Sequence, residues 1–185
     1  DIALSADGRW LAVLENSRVA LIDPATGKIA SRVAHGGGSF CGLVFSPDGK
    51  YLYHTKVVAG LQKIVRFPVN DPSKIEQITW GEGNDDDAAF SPDGTRLYFS
   101  SSRGGIFNIY GQDLGTGEIV QYTDVIGAAI GPAAFVGSDG QEKIVFSGYQ
   151  ESRFQLYIAD AKKPFRRLEE KALAPAPIVR GAVPD

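Results

Sequence analysis

Methionine is absent from the chain, cysteine occurs once and histidine only twice. A single cysteine, Cys41, cannot build an internal disulfide framework, so the fold must be held by its core. Cys41 itself reads as a small packed residue. Two histidines supply few of the usual metal ligands and proton-transfer bases. No stretch approaches the roughly 18 apolar residues needed to cross a bilayer, because the apolar runs are short and broken by Gly, Asp and Pro. A basic stripe is also missing. The 19 Lys and Arg are scattered among 22 Asp and Glu, giving a net charge of −3 and no surface suited to releasing counterions from phosphates. Nucleic acid is therefore not an expected partner, and the segment is not a membrane span. No signal peptide is present and Asp1 already stands where a strand begins, so the polypeptide is expected to continue upstream.

What is present is a core-forming composition and an internal repeat. With 43% hydrophobic and 22% charged residues, the 185-residue chain has the makeup of an ordinary folded domain. Ser5-Ala6-Asp7-Gly8, Ser46-Pro47-Asp48-Gly49, Ser91-Pro92-Asp93-Gly94 and Ser138-Asp139-Gly140 recur, with Asp spacings of 41, 45 and 46 residues. Apolar pairs or triplets precede these turns (Leu43-Val44-Phe45, Ala88-Ala89-Phe90, Ala133-Ala134-Phe135), and apolar runs follow (Leu52-Tyr53, Leu97-Tyr98-Phe99, Ile144-Val145-Phe146). A third run repeats as Phe107-Asn108-Ile109-Tyr110 and Phe154-Gln155-Leu156-Tyr157. A fourth covers Ile29 to Val33, Ile75 to Thr79, Ile119 to Thr123 and Phe165 to Leu168.

Four strands in a little over 40 residues make one propeller blade. The turn residues have a physical reason to recur: Pro presets φ, Asp bonds to the backbone ahead of it, and Gly accepts positive φ. No sustained 3.6-residue period marks a helix, beyond at most one short turn in Arg166 to Ala174. The expected fold class is all-β, a β-propeller of about four four-stranded antiparallel blades forming part of a larger ring of six or more. Repeats are placed at 1–34, 41–79, 86–123 and 132–169, within a propeller region 1–171. A Pro- and Ala-rich extended connector is expected over 172–185.

The phrase from Ala88 through Ser91-Pro92-Asp93-Gly94-Thr95-Arg96-Leu97-Tyr98-Phe99 to Gly105 resembles the repeat of TolB-like propellers. The first copy lacks the turn Pro and has Leu4 where others have Phe, and the fourth carries an extra residue after its turn. The resemblance implies a bacterial periplasmic or cell-envelope setting and a scaffold that contacts other envelope proteins, or copies of itself, without catalysis. The alternative it leaves open is the propeller portion of a prolyl-oligopeptidase-like serine peptidase whose hydrolase domain lies outside this chain.

In a propeller the Asp-Gly and Thr-Gly turns share one face, so recognition falls to the opposite loops, which differ between blades. The distinctive loop is Glu82-Gly83-Asn84-Asp85-Asp86-Asp87. Its carboxylates suit three uses: capping and pairing with nearby Arg, gathering a hard cation, or contacting a partner. Asp85, Asp86 and Asp87 are taken as candidate partner-binding residues, with Arg103 and Arg153 in equivalent loops and His35 beside a Gly36-Gly37-Gly38-Ser39 run. Replacing the three Asp by Asn is expected to leave the fold intact. His54 aligns with Val13, Phe99 and Phe146 and reads as a core residue. The glycine run lacks a following Lys-Ser or Lys-Thr, and Gly38-Ser39-Phe40-Cys41-Gly42 misses G-x-S-x-G, so neither a phosphate cradle nor a nucleophile elbow is read. No catalytic residue, metal site, cofactor or small-molecule ligand is expected.

Overall fold

The computed structural model describes residues 1–34 and 42–168, so His35, Cys41 and the expected connector lie outside the described residues. All sixteen elements there are β-strands. The first sheet runs β1 (Ile2–Leu4), β2 (Leu11–Glu15), β3 (Arg18–Asp23) and β4 (Lys28–Ala34), in chain order. The second repeats this order with β5 (Leu43–Phe45), β6 (Tyr51–Val58), β7 (Leu61–Pro68) and β8 (Glu76–Gln77). The third holds β9 (Asp85–Phe90), β10 (Arg96–Ser101), β11 (Asn108–Asp113) and β12 (Ile119–Gln121). The fourth has β13 (Ala128–Val136), β14 (Glu142–Gln150) and β15 (Arg153–Asp160). Neighbouring strands within each blade pair antiparallel. No helix among the described residues is long and apolar enough to cross a membrane.

The first turns of blades 1, 2 and 3 are built the same way. The Ser46 hydroxyl donates to Asp48 Oδ1 at 2.6 Å and accepts from the Tyr51 N–H at 3.0 Å, while the Lys50 N–H donates to Asp48 Oδ1 at 3.1 Å. Ser5 with Asp7 and Ser91 with Asp93 repeat this lock. Gly94 has φ 74° and closes its turn on the Ser91 carbonyl at 2.9 Å. A Cβ there would also stand 3.0 Å from the Pro47 ring of the preceding blade, so glycine serves both turn and blade contact.

The core is divided among the seams between blades. Val19, Leu21 and Ala12 of blade 1 meet Phe45, Leu52 and Phe67 of blade 2. Tyr53 and Ile64 meet Leu97, Phe99 and Tyr110 of blade 3, and Tyr98, Ile109 and Tyr122 meet Ile144 and Phe146 of blade 4. His54 is buried in the first seam's neighbourhood, edge-on to Phe67 with centroids 5.7 Å apart, as its alignment implied.

One strand lies elsewhere than the repeat suggested. The run expected to complete blade 4 forms β16 (Arg166–Arg167), which pairs with β12 and makes blade 3 five-stranded. The reason is local. Pro164 interrupts continuation from the Asp160 turn, and the Phe165 and Leu168 N–H groups reach the Gln121 and Ile119 carbonyls at 2.8 and 2.9 Å. Arg166 Nε donates to Gln121 Oε1 at 2.6 Å, and Arg167 pairs with Glu118. Among the described residues blade 4 keeps three strands, with β15 at its outer edge.

Gly94→Val is expected to cost about 1–3 kcal/mol, because a β-branched residue must hold positive φ against Pro47. A lowered melting temperature would register it; an unchanged one would contradict this account of the turn.

The Ser donors hold the Asp7, Asp48 and Asp93 carboxyls below their ordinary value of 3.8. The folded chain therefore favours their ionised forms, and that stabilisation is present above the ordinary value and fades as pH falls through the lowered ones. In melting curves taken between pH 7 and pH 2, the combined Ser46→Ala and Ser91→Ala change should reduce the acid-dependent loss. An identical pH profile would count against the lock.

Candidate functional site

The acidic loop enters the innermost strand of blade 3, and each of its three carboxylates meets a different environment. Asp85 is wholly buried. Its Oδ2 accepts from Lys63 Nζ at 2.9 Å and its Oδ1 from Arg103 Nη2 at 3.0 Å, so one carboxylate joins two buried cations from blades 2 and 3. Lys63 also donates to the Gly83 carbonyl at 2.8 Å. Arg103 Nε donates to Ser101 Oγ at 2.9 Å, and its guanidinium carbon lies 5.3 and 5.2 Å from the Phe99 and Tyr110 ring centres. The chain passes so close here that a Cβ on Gly83, at φ 76°, would sit 2.6 Å from the Arg103 nitrogen.

Asp86 is buried, with no cation paired to it among the described residues. It accepts from the Thr55 hydroxyl and, at 2.8 Å, from the Asp87 N–H. Burial pushes its carboxyl above the ordinary range, and the Thr55 hydrogen bond holds it partly down. Asp87 adopts φ 54° where the β9–β10 register shifts, and its Oδ2 accepts from Ser100 Oγ at 3.0 Å and the Gly131 N–H at 3.2 Å. This carboxylate thus ties the innermost strand of blade 3 to that of blade 4.

Arg153 stands in the β14–β15 hairpin, exposed, with Glu151 Oε2 at 3.7 Å. Its repeat equivalent, Arg103, is folded onto Asp85, whereas blade 4 has Ala129 opposite Gly148 where blade 3 has Asp85 opposite Ser101. Arg153 is left to the surface because its blade supplies no acid at that position. The structure therefore brings Asp85, Asp86, Asp87 and Arg103 into one cluster and sets Arg153 apart.

Sequence reasoning missed Lys63, Thr55 and Ser100. For Lys63 the available signal was positional: a polar residue stands just before the equivalent apolar position of the third strand in every repeat, as Arg18, Lys63, Asn108 and Gln155. Because Asp85 is the shared ion-pair partner of two buried cations, the triple Asp-to-Asn change is expected to cost stability, where the sequence alone suggested that it would spare the fold.

Beside Arg153 lies a cleft of about 500 Å³. Val125, Ile126 and Ala128, before and within β13, line it together with the Phe146 and Tyr157 rings. Those rings stack with centres 5.9 Å apart, and a polar recess continues past Tyr157 to Gln155 and Arg153. Among the described residues, no group of three or more His, Cys, Asp or Glu is placed to hold a metal ion.

Asp85→Asn should cost about 3–5 kcal/mol by stranding Lys63 and Arg103. Asp86→Asn should change stability by less than about 1 kcal/mol, since the amide oxygen still accepts from Thr55. Denaturant titration of both variants measures the contrast; equal losses would refute it.

The chain is similar to an uncharacterised protein of Agrobacterium fabrum, 30% identical over 110 residues, covering 60% of this chain and 36% of that protein. It spans about a third of the length of that curated relative. TolB from Acinetobacter baumannii has the same fold over 89% of this chain and 41% of that one, with a TM-score of 0.70 and 24% identity. A structure from a study of two prolyl endopeptidases matches 89% of this chain and 27% of its own, with a TM-score of 0.62 and 18% identity. The family model of the TolB beta propeller domain matches residues 3–176, and the chain belongs to that family.

Proposed function

We propose that the chain is a non-catalytic recognition module of the bacterial cell envelope, which holds a protein partner on the loop face of its propeller. The observation that carries this reading is how charge is distributed on that face. Asp85 pairs with both Arg103 and Lys63 inside the fold, where the three fix the loop. Arg153 and Glu151 remain at the surface beside an apolar cleft with an aromatic wall. Preset loops next to a hydrophobic recess with a polar rim suit a docked side chain of another protein. In this reading Arg153 and the cleft make the contact, Asp87 holds blades 3 and 4 in register beneath it, and Asp85, Asp86 and Arg103 act by positioning. The periplasmic setting rests on the likeness to TolB.

A photo-crosslinking amino acid at Ile126, at the cleft mouth, should yield protein adducts in native cells, and Arg153→Glu should reduce them. The same probe at Thr26, in the turn on the opposite face, should yield few. Equal adduct formation from both faces, or none from Ile126, would reject the loop face as the binding surface.

A further inference from the structure

The seam between blades 2 and 3 and the seam between blades 3 and 4 contain the same ring pair and differ in what lies over it. Phe99 and Tyr110 are cross-strand partners in blade 3, with ring centres 6.2 Å apart and planes at 21°. Phe146 and Tyr157 are cross-strand partners in blade 4, 5.9 Å apart and also at 21°. Over the first pair lies the Arg103 guanidinium, its carbon 5.3 and 5.2 Å from the two ring centres. The second pair lines the open cleft of about 500 Å³. Gln150 follows Phe146 at the spacing at which Arg103 follows Phe99, while Arg153, further along the same loop, turns to the surface. The charged neighbours are exchanged as well. Ala129 stands opposite Gly148 where Asp85 stands opposite Ser101. The preceding blade offers Lys63 to Asp85 in one seam and Asn108 in the other, where Asn108 Oδ1 accepts from Thr123 Oγ1 at 2.8 Å and from the Val125 N–H at 3.0 Å. A carboxylate and an ammonium are lost together, so their net contribution is zero in both seams, and the aromatic faces that attract a guanidinium remain.

We propose that the cleft is a socket for a guanidinium from outside the chain, the arginine side chain of a protein partner, seated over Phe146 and Tyr157 as Arg103 is seated over Phe99 and Tyr110. What this seam lacks is a direct carboxylate contact inside the socket, and Glu151 supplies one at its mouth. Glu151 lines both the cleft and the polar recess, its side chain is 73% exposed, and its contact with Arg153 is long at 3.7 Å, so its carboxylate is open to a second cation. Oε1 of Gln150 and of Gln155 stand 3.3 and 3.4 Å from the Tyr157 hydroxyl and add acceptors at the same end. The ring pair lies on the face of blade 4 turned toward blade 3, the side of the sheet away from Leu156, so the socket belongs to a seam between two blades of this chain. This inference rests on the reading of the loop face as a recognition surface and adds the chemistry of the group recognised.

Nuclear magnetic resonance titration of the protein with acetyl-arginine amide at millimolar concentration should shift the backbone amide signals of Gly148 and Tyr157. Acetyl-citrulline amide, alike in shape but uncharged, should bind about tenfold more weakly. Glu151→Gln, a change at an exposed position, should weaken the arginine probe several-fold and reduce the salt dependence of its binding. Gln150→Arg should lay an arginine of the chain's own over the rings, keep the far-ultraviolet circular dichroism and abolish the response. Equal binding of the citrulline probe, or tighter binding of acetyl-leucine amide, would make the cleft a seat for an uncharged side chain and overturn the guanidinium assignment while leaving recognition on the loop face intact. Shifts that persist in Gln150→Arg would put the probe elsewhere and also overturn it. If no probe shifts these signals the socket is refuted, and crosslinking from Ile126 still reports separately on the loop face.

Discussion

A twisted four-stranded sheet with apolar side chains on both faces cannot bury itself, and this constraint shapes the whole molecule. Blades 2 and 3 each hide one face against the preceding blade and the other against the following one, so the core is a series of seams instead of a single interior. Leu21, Leu52, Phe67 and Phe99 belong to these seams, and burying each side chain stabilises the fold by about 1.5–3 kcal/mol. The polar contacts follow the same division. Lys63 crosses from blade 2 to Asp85 of blade 3, and Tyr98 of blade 3 donates to Glu142 of blade 4 at 2.6 Å. Side chains that would be costly to bury singly become cross-ties because the seam supplies their partners.

Much of the fold was legible because its cause is local. Ser, Asp and Gly recur at fixed spacing since the turn needs a hydroxyl donor, a carboxylate acceptor and positive φ within four residues, and each requirement is met by residue type alone. The placement of His54 in the core followed from the same alignment. The destination of Phe165 to Leu168 was not legible, since a strand's partner depends on which edge is free. Gln121 and Glu118, more than forty residues earlier, made blade 3 the better host.

The candidate site shows the same boundary. Three consecutive Asp residues look equivalent in sequence, yet one pairs with two cations, one lies buried against Thr55 with its carboxyl pushed up, and one bridges two blades at a register shift. Strand pleat and neighbouring blades separate them, and neither is encoded in the loop itself. Arg103 and Arg153 diverge for the same reason: the first has Asp85 within reach and the second does not.

Pairing of β16 with β12 bears on how the molecule carries mechanical load. Because the strand after blade 4 is fastened to blade 3, tension applied at residue 168 is delivered to the rim of blade 3 through the Gln121 and Ile119 carbonyls before β15 feels it. Blade 4 sits between two attachments to blade 3, its own seam and this clasp. A tug from whatever follows is thus resisted first by the five-stranded sheet, and the outermost blade is shielded until the clasp gives way.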